Sequence, residues 1–514
     1  MTQTNHNSRT ALSLVTSLLA MALSILINFF LSPYIVENFG EEANGFTQLA
    51  NNFVTYATLL TVALNSMAGR FITIAYHNKD YKACARYYTS VLVGNAAIIL
   101  LLLFPSVYCV FRLDSLIRIE TAVVSHVKIL FGLVFANFFA TQIFSLFAIA
   151  CYVTNRQYIQ NTVNMVRTLC NAAGLVLMFA LLVPKIYFVS LVGCVLSLLL
   201  IPIFFWIKQK ICPELRFDIR YFDIKTVWQM VSSGLWNTLN QCGILLMTAF
   251  DLLLANLFID PVRMGVLSVA KTVPNCIIQL AGTVNSSFSP HLTIAYASKD
   301  REQLLSSLRY SMKYSAVLVS IPITVLSVYG VSFYRLWVPS LDAEELAVLS
   351  VLTCMQLIPF CGVQVINNLF TTANRLKVNS LSVLIGGAVN ILVVFILLRY
   401  TSLGLFAIAG VSSCIGIIRN LIVTVPYSAR ILGLKWYIFY KDVLISCLYC
   451  AVCLVICYVF KSLIVPNSWL TMIFSVAVSC LVTLLAQFIL FFNAEERATV
   501  ISRICRISGI RRKN

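Results

Sequence analysis

Charge is scarce in this chain. Only 11% of its 514 residues are Asp, Glu, Lys or Arg, too few to clothe a soluble protein of this length. Acids are scarcer still, 19 against 37 Lys and Arg, which leaves a formal charge of +18. Histidine occurs only as His6, His77, His126 and His291, with no clustering, so no metal site is expected. The 17 cysteines follow no metal-ligand spacing. Most lie in apolar runs, as Cys447, Cys450, Cys453 and Cys457 do, and read as small buried apolar residues of a reduced protein. There is no Walker sequence, no HExxH, no GxSxG and no Ser/His/Asp set. The chain therefore carries no ATP-driven module, and neither a catalytic residue nor a cofactor is expected; it reads as a non-enzyme. Strand alternation is missing, which argues against a membrane β-barrel. The basic excess is scattered through short loops, so nucleic acid is not an expected partner.

What the chain has instead is hydrocarbon. It is 60% hydrophobic with a mean hydropathy of +0.89. The apolar residues fall in runs at or beyond the roughly 20 residues that a membrane-spanning helix needs. The expected fold is an all-α polytopic membrane protein of about 14 transmembrane helices. The first run, 11–36, is longer than a signal-peptide core and lacks a cleavage site, so it reads as the first span. Later runs include 227–259, 264–295, 345–372 and 402–428. Lys and Arg strongly favour the loops on the side of the N-terminus, which implies both termini in the cytoplasm and an even number of spans. A multi-pass membrane protein follows.

One passage occurs twice. Asn65-Ser66, Thr73-Ile74-Ala75-Tyr76 and Lys79-Asp80 recur, 220 residues later, as Asn285-Ser286, Thr293-Ile294-Ala295-Tyr296 and Lys299-Asp300. A weaker echo pairs Asn155-Arg156 with Asn374-Arg375. An offset of six helices keeps both copies in one direction, so the halves are parallel repeats related by a pseudo-two-fold axis along the membrane normal. The expected organisation is a six-helix bundle at 1–207, a cytoplasmic loop at 208–226 and a second bundle at 227–434. An added helix pair at 435–492 and a basic tail at 493–514 complete it. The tail reads equally as an amphipathic helix on the anionic leaflet or as an ordinary positive-inside terminus.

Charges inside apolar runs cost energy and so mark candidate sites. Asp251 lies among Leu245, Leu246, Met247, Leu252 and Leu253; a lipid-facing carboxylate there would cost about 2.5–3.5 kcal/mol. It should face the interior and pair with a cation, titrate, or help hold a coupling ion. Arg70 lies near the end of its run, close enough to snorkel or to hold an anion in a cavity; its repeat equivalent is Pro290. Lys128, Lys271 and Arg419 are further cations at membrane depth, whereas Arg167 and Lys313 sit nearer segment ends and read as snorkelling. One acid among several bases favours an anionic, phosphate-bearing substrate. Amides such as Asn28, Asn65, Asn240 and Asn285 suggest a polar cleft, although single amides also join helices for about 0.6 kcal/mol each. Prolines are expected to interrupt helices at Pro274, Pro290, Pro322, Pro359 and Pro426, and Gly386-Gly387 to allow a close helix contact or a kink.

Two six-helix bundles, a charged loop between them and an extra helix pair resemble the bacterial polysaccharide and oligosaccharide flippases. Their superfamily also holds the multidrug-and-toxin exporters and the lipid II flippases. The stretch from Asn65 to Asp80, with Arg70 inside it, looks like the second helix and following loop of that group, and 285–300 like its counterpart. The resemblance implies a V-shaped bundle working by alternating access. It implies a polyprenyl-pyrophosphate carrying a sugar repeat unit as substrate, for capsule, O-antigen or exopolysaccharide synthesis. Arg70 would bind the pyrophosphate, with Lys271, Arg419 and Lys128 as further candidates. A proton or sodium gradient, or the membrane potential, would drive the cycle, with Asp251 coupling to the ion. Membrane lipids and a polysaccharide polymerase or chain-length protein are the implied partners. The competing expectation is a cation-coupled drug or metabolite antiporter of the same architecture, for which more buried acids and fewer buried cations would be expected.

Overall fold

The computed structural model describes residues 3–119, 124–297, 300–373, 375–494 and 496–498. Expectations for Lys299, for the Asn374 echo and for most of the basic tail lie outside the described residues. The chain opens with α1 (Gln3–Phe39), α2 (Glu41–His77), α3 (Tyr81–Phe111), the short α4 (Leu113–Leu116), α5 (Val124–Val153), α6 (Gln157–Leu181) and α7 (Phe188–Ile211). It continues with α8 (Ile224–Thr248), α9 (Phe250–Phe258), α10 (Pro261–Ser287), α11 (Ser289–Ala297), α12 (Arg301–Trp337), α13 (Ala343–Cys354), α14 (Leu357–Phe360) and α15 (Asn367–Thr372). It closes with α16 (Leu376–Tyr400), α17 (Leu405–Arg419), α18 (Val425–Ile431), α19 (Tyr440–Leu463) and α20 (Trp469–Phe491). Among the described residues there is no strand, and 13 helices are long and apolar enough to cross a membrane. The protein is an all-α polytopic membrane protein.

The expected span at 345–372 is the one that differs, because it is broken into α13, α14, a 3-10 turn at Val363–Ile366 and α15. Pro359 removes a backbone donor there. Gly362 then lets the broken segment press against α12: a Cβ at Gly362 would stand 2.6 Å from the Met312 carbonyl oxygen. The prolines divide. Pro290 is the second residue of α11 and Pro359 lies in the four-residue α14, while a π turn at Asn420–Thr424 ends two residues before Pro426 and widens the helix where the proline ring would crowd it. Pro274 and Pro322, expected to interrupt, sit inside unbroken α10 and α12. In a membrane interior the backbone keeps its helical bonds around a proline because no water competes for them.

The repeat extends across whole elements. Helices α2 and α10 begin at Glu41 and Pro261, α3 and α12 at Tyr81 and Arg301, and α6 and α16 at Gln157 and Leu376. The repeated Asp has a local cause. Asp80 caps α3 by accepting from the Ala83 N–H, and Asp300 caps α12 by accepting from the Glu302 and Gln303 N–H groups.

Contacts divide the chain into two compact units, Met1–Val269 with Leu376–Ile408, and Ala270–Arg375 with Ala409–Asn514. Glycines set the helix spacing in the first unit. A Cβ at Gly265 would lie 2.3 Å from the Glu41 carbonyl oxygen, and one at Gly45 would lie 3.0 Å from the Gly265 Cα. Gly45 and Gly265 are repeat equivalents, so this crossing of α2 with the start of α10 sets a position against its own counterpart. The Gln48 side chain likewise donates to the carbonyl of its own equivalent, Ser268, at 3.2 Å. Further down, Gly387 of α16 packs on Gly243 of α8, whose carbonyl oxygen would be 2.6 Å from an added Cβ. The loop after α7 is stitched to α3: the Asp223 N–H donates to Ser90 Oγ at 3.2 Å and the Asp218 N–H to Thr89 Oγ1 at 3.3 Å.

In the second unit α12 is the organising helix. The Tyr329 hydroxyl hydrogen-bonds Ser475 and Ser479 of α20 at 2.8 and 2.9 Å, and Gln487 of α20 donates to Ser320 Oγ at 3.0 Å. Tyr449 of α19 stacks on Phe491 with ring centroids 3.9 Å apart. The added helix pair is thus bonded to α12. Cys450, Cys453 and Cys457 are buried and free in α19, and Cys447 is half-buried and free.

Candidate functional site

The sequence-predicted residues fall into distinct settings. Asp251 is 2% exposed. The break after Thr248 places it in the first turn of α9, where unbonded backbone N–H groups favour a carboxylate. The break itself is held from α2: Asn52 Nδ2 and the Tyr56 hydroxyl both donate to the Ala249 carbonyl, at 2.9 and 2.7 Å, and Tyr56 stacks on Phe250. Arg70 is exposed on α2, about 10 Å of helix before its end. Among the described residues it makes no hydrogen bond or ion pair. Lys128, five residues into α5, is committed to an ion pair with Asp114 of α4, 2.8 Å away, and also donates to the Phe111 carbonyl at 3.0 Å. That bond holds the exposed Asp114 carboxyl below its ordinary pKa.

Lys271 is 6% exposed in α10. Arg419 closes α17. Its Nη2 donates to Asn420 Oδ1 at 2.6 Å, Asn420 Oδ1 also accepts from Thr424 Oγ1, and Arg419 Nε is buried without an acceptor. Asn28 is exposed and donates back to the Ser24 carbonyl. Asn240 is half-buried on α8 and makes no hydrogen bond among the described residues.

Asn65 and Asn285 form matching nodes. Asn65 and Asn95 exchange amide hydrogen bonds of 3.1 and 2.8 Å, joining α2 to α3. At the repeat-equivalent place, Ser315 Oγ donates to Asn285 Oδ1 at 2.8 Å, joining α10 to α12. Asn285 also donates to Gln364 Oε1 at 3.1 Å, and its carbonyl accepts from Asn368 Nδ2 at 2.7 Å. These amides therefore tie each repeat's second helix to its third.

Arg167 corrects the snorkelling expectation. It stands ten residues into α6, about 15 Å from its start, and bonds inward. Its Nη2 donates to Ser197 Oγ of α7 at 2.6 Å and to Asn137 Oδ1 of α5 at 3.2 Å. Ser197 Oγ also bonds Asn137 Oδ1 and the Gly193 carbonyl. The overlooked signal was a polar stripe along α6, Gln160, Asn164, Arg167, Thr168 and Asn171, at helical spacing. Lys313, the other residue read as snorkelling, bonds Glu496 at 2.6 Å. Desolvation raises the Glu496 carboxyl, but the bonds from Lys313 and the Asn493 N–H outweigh it and hold the group below its ordinary pKa.

An apolar cavity of 530 Å³ opens between α1 and α6, lined by Leu26, Phe30, Tyr34, Ala172, Val176 and Phe179 among others. It is hydrocarbon-lined and offers no charge to a headgroup. Among the described residues no group of His, Cys, Asp and Glu side chains could hold a metal ion.

No protein-family model matches the chain. The chain is 28% identical over 495 residues to the uncharacterized membrane protein EpsK of Bacillus subtilis strain 168, covering 96% of this chain and 97% of that one. Its fold is that of two kinds of solved transporter. One is an inward-facing multidrug resistance MATE family transporter of the MOP superfamily, with a TM-score of 0.66 at 12% identity, covering 82% of this chain and 98% of the other. The second is the lipid II flippase MurJ in an inward closed conformation, with a TM-score of 0.66 at 16% identity, covering 92% of this chain and 98% of the other. The chain thus has the fold shared by MATE transporters and MurJ.

Proposed function

We propose that this protein flips a polyprenyl-pyrophosphate-linked oligosaccharide across the bacterial cytoplasmic membrane by alternating access, for capsule, O-antigen or exopolysaccharide assembly. The observation that carries the reading is an imbalance of charge at membrane depth. Arg70, Arg167 and Arg419 each hold a guanidinium to which, among the described residues, no carboxylate is bonded. An anionic headgroup would complete them. Pyrophosphate and sugar cannot enter hydrocarbon unaided, because their charges and hydroxyls would lose water. Guanidinium groups and free amides such as Asn240 replace that water, while the prenyl chain stays in lipid. No bond is made or broken, so the protein is a transporter and not an enzyme. The likeness of fold to a lipid II flippase supports a lipid-linked substrate. Parallel six-helix repeats working from a cytoplasmic N- and C-terminus, a proton or sodium gradient acting through Asp251, and a polymerase or chain-length partner complete the proposal.

The second reading is a cation-coupled drug or metabolite antiporter, favoured by the buried Asp251 and the MATE likeness. Proteoliposomes separate the two. The flippase carries lipid-linked oligosaccharide to the opposite leaflet and leaves a cationic dye untouched. Dye exchange for protons, with the lipid-linked sugar staying put, overturns the flippase reading.

A further inference from the structure

Arg167 is held as if to present charge, not to bury it. Three helices fix its guanidinium: α6 carries it, Ser197 of α7 and Asn137 of α5 accept from Nη2, and the Phe144 ring lies 5.8 Å away. Both acceptors are neutral, and a guanidinium stays charged in any protein. Among the described residues, the donors on Nε and Nη1 have no protein acceptor, and neither atom is among those sealed from solvent. The unused part of the fork is open to a planar or tetrahedral anion.

The helix face around it is polar. The side chains of Gln160 and Asn164 make no hydrogen bond among the described residues, and Asn171 Oδ1 is buried without a donor. Amides in hydrocarbon would not remain so. The other repeat keeps part of this stripe but not its charge. With Gln157 matching Leu376, the residues Gln160, Asn164, Arg167 and Asn171 correspond to Asn379, Val383, Gly386 and Asn390. The guanidinium belongs to one repeat only. The apolar cavity beside α1 begins at Ala172, one residue past Asn171, so charge and hydrocarbon surfaces adjoin on the same helix.

We propose that Arg167, backed by Asn137 and Ser197, is an anion station that receives the diphosphate of the lipid-linked substrate midway through the membrane. This rests on the flippase reading, and the test keeps the two apart. In the full-length protein, Asn137→Asp sets a carboxylate beside the guanidinium and supplies an internal counter-ion. The variant is expected to melt at or above the wild-type temperature in detergent, yet to carry lipid-linked oligosaccharide about tenfold more slowly or worse. Inorganic pyrophosphate is expected to raise the melting temperature of the wild type, and to do so less for Asn137→Asp and Arg167→Gln. Should Asn137→Asp fail to fold, Ser197→Asp brings the same charge from α7 and decides the matter. A folded Asn137→Asp that flips at the wild-type rate overturns the station while leaving the flippase reading intact. A wild type that moves no lipid-linked sugar sinks that reading, and the pyrophosphate melts then judge the station alone: a shift lost in Asn137→Asp upholds it, and an equal shift in both proteins refutes it.

Discussion

Two glycines on one helix should respond to alanine with opposite signs. Gly265 and Gly282 both lie in α10. At Gly265 an added Cβ would stand 2.3 Å from the Glu41 carbonyl oxygen and 2.4 Å from its carbon, both backbone atoms that cannot swing aside. The start of α2 must then move by about 1 Å, a strain of the kind that costs about 1–3 kcal/mol. Alanine recovers about 0.5–1 kcal/mol of helix propensity, so Gly265→Ala should lose about 1–2 kcal/mol. At Gly282 nothing lies within 4 Å of the added carbon. Only propensity remains there, and Gly282→Ala should gain about 0.5–1 kcal/mol. Gly45→Ala is intermediate, because the Met264 Cε at 2.7 Å is a flexible end. Thermal melting of the purified proteins in detergent reads the signs. If Gly265→Ala and Gly282→Ala shift the melting temperature in the same direction, the close crossing of α2 and α10 is wrong.

Other consequences are local. Because the folded-state pKa of Glu496 lies below its ordinary value, the Lys313–Glu496 bond contributes above the ordinary carboxylate pKa and is lost as pH falls through the folded value. Limited proteolysis after Phe492 should therefore be slow at neutral pH and faster in Glu496→Gln; equal rates would remove the latch. The exposed Asp114–Lys128 pair should matter little, as exposed pairs do. Asp114→Asn should leave both melting and transport near wild type, and a clear transport loss would return Lys128 to the substrate path. Asp251→Asn should uncouple movement from the ion gradient while the protein still folds, and gradient-dependent flipping in that variant would dismiss Asp251 as the coupling group.

Much of the fold could be read from hydropathy, since runs long enough to span a bilayer have few alternatives. The repeat was legible because Asp80 and Asp300 must cap helices and so persist as polar residues among apolar neighbours. The breaks were harder. Pro322 and Pro359 are the same residue in similar runs, yet one continues α12 and the other breaks its segment beside Gly362 and Met312. That difference lies in neighbours distant in sequence. Charge in an apolar run announced Arg70, Asp251 and Arg419, but direction was hidden. Lys128 reaches Asp114 at the end of its helix, and Arg167 turns inward to Asn137 and Ser197 instead of along its helix toward water. The partners of Asn65 and Asn285 came from α3 and α12, beyond what periodicity within one segment can reveal.

In the proposed cycle, cations without a carboxylate partner receive an anionic lipid headgroup. The most direct measurement compares two lipids in proteoliposomes, one carrying its oligosaccharide on a diphosphate and one on an uncharged linker. Rapid transfer of the diphosphate lipid is expected, with little transfer of the neutral one and loss of that preference in Arg70→Ala with the fold intact. Equal transfer of both lipids, or an Arg70→Ala protein that keeps the wild-type preference, would contradict it.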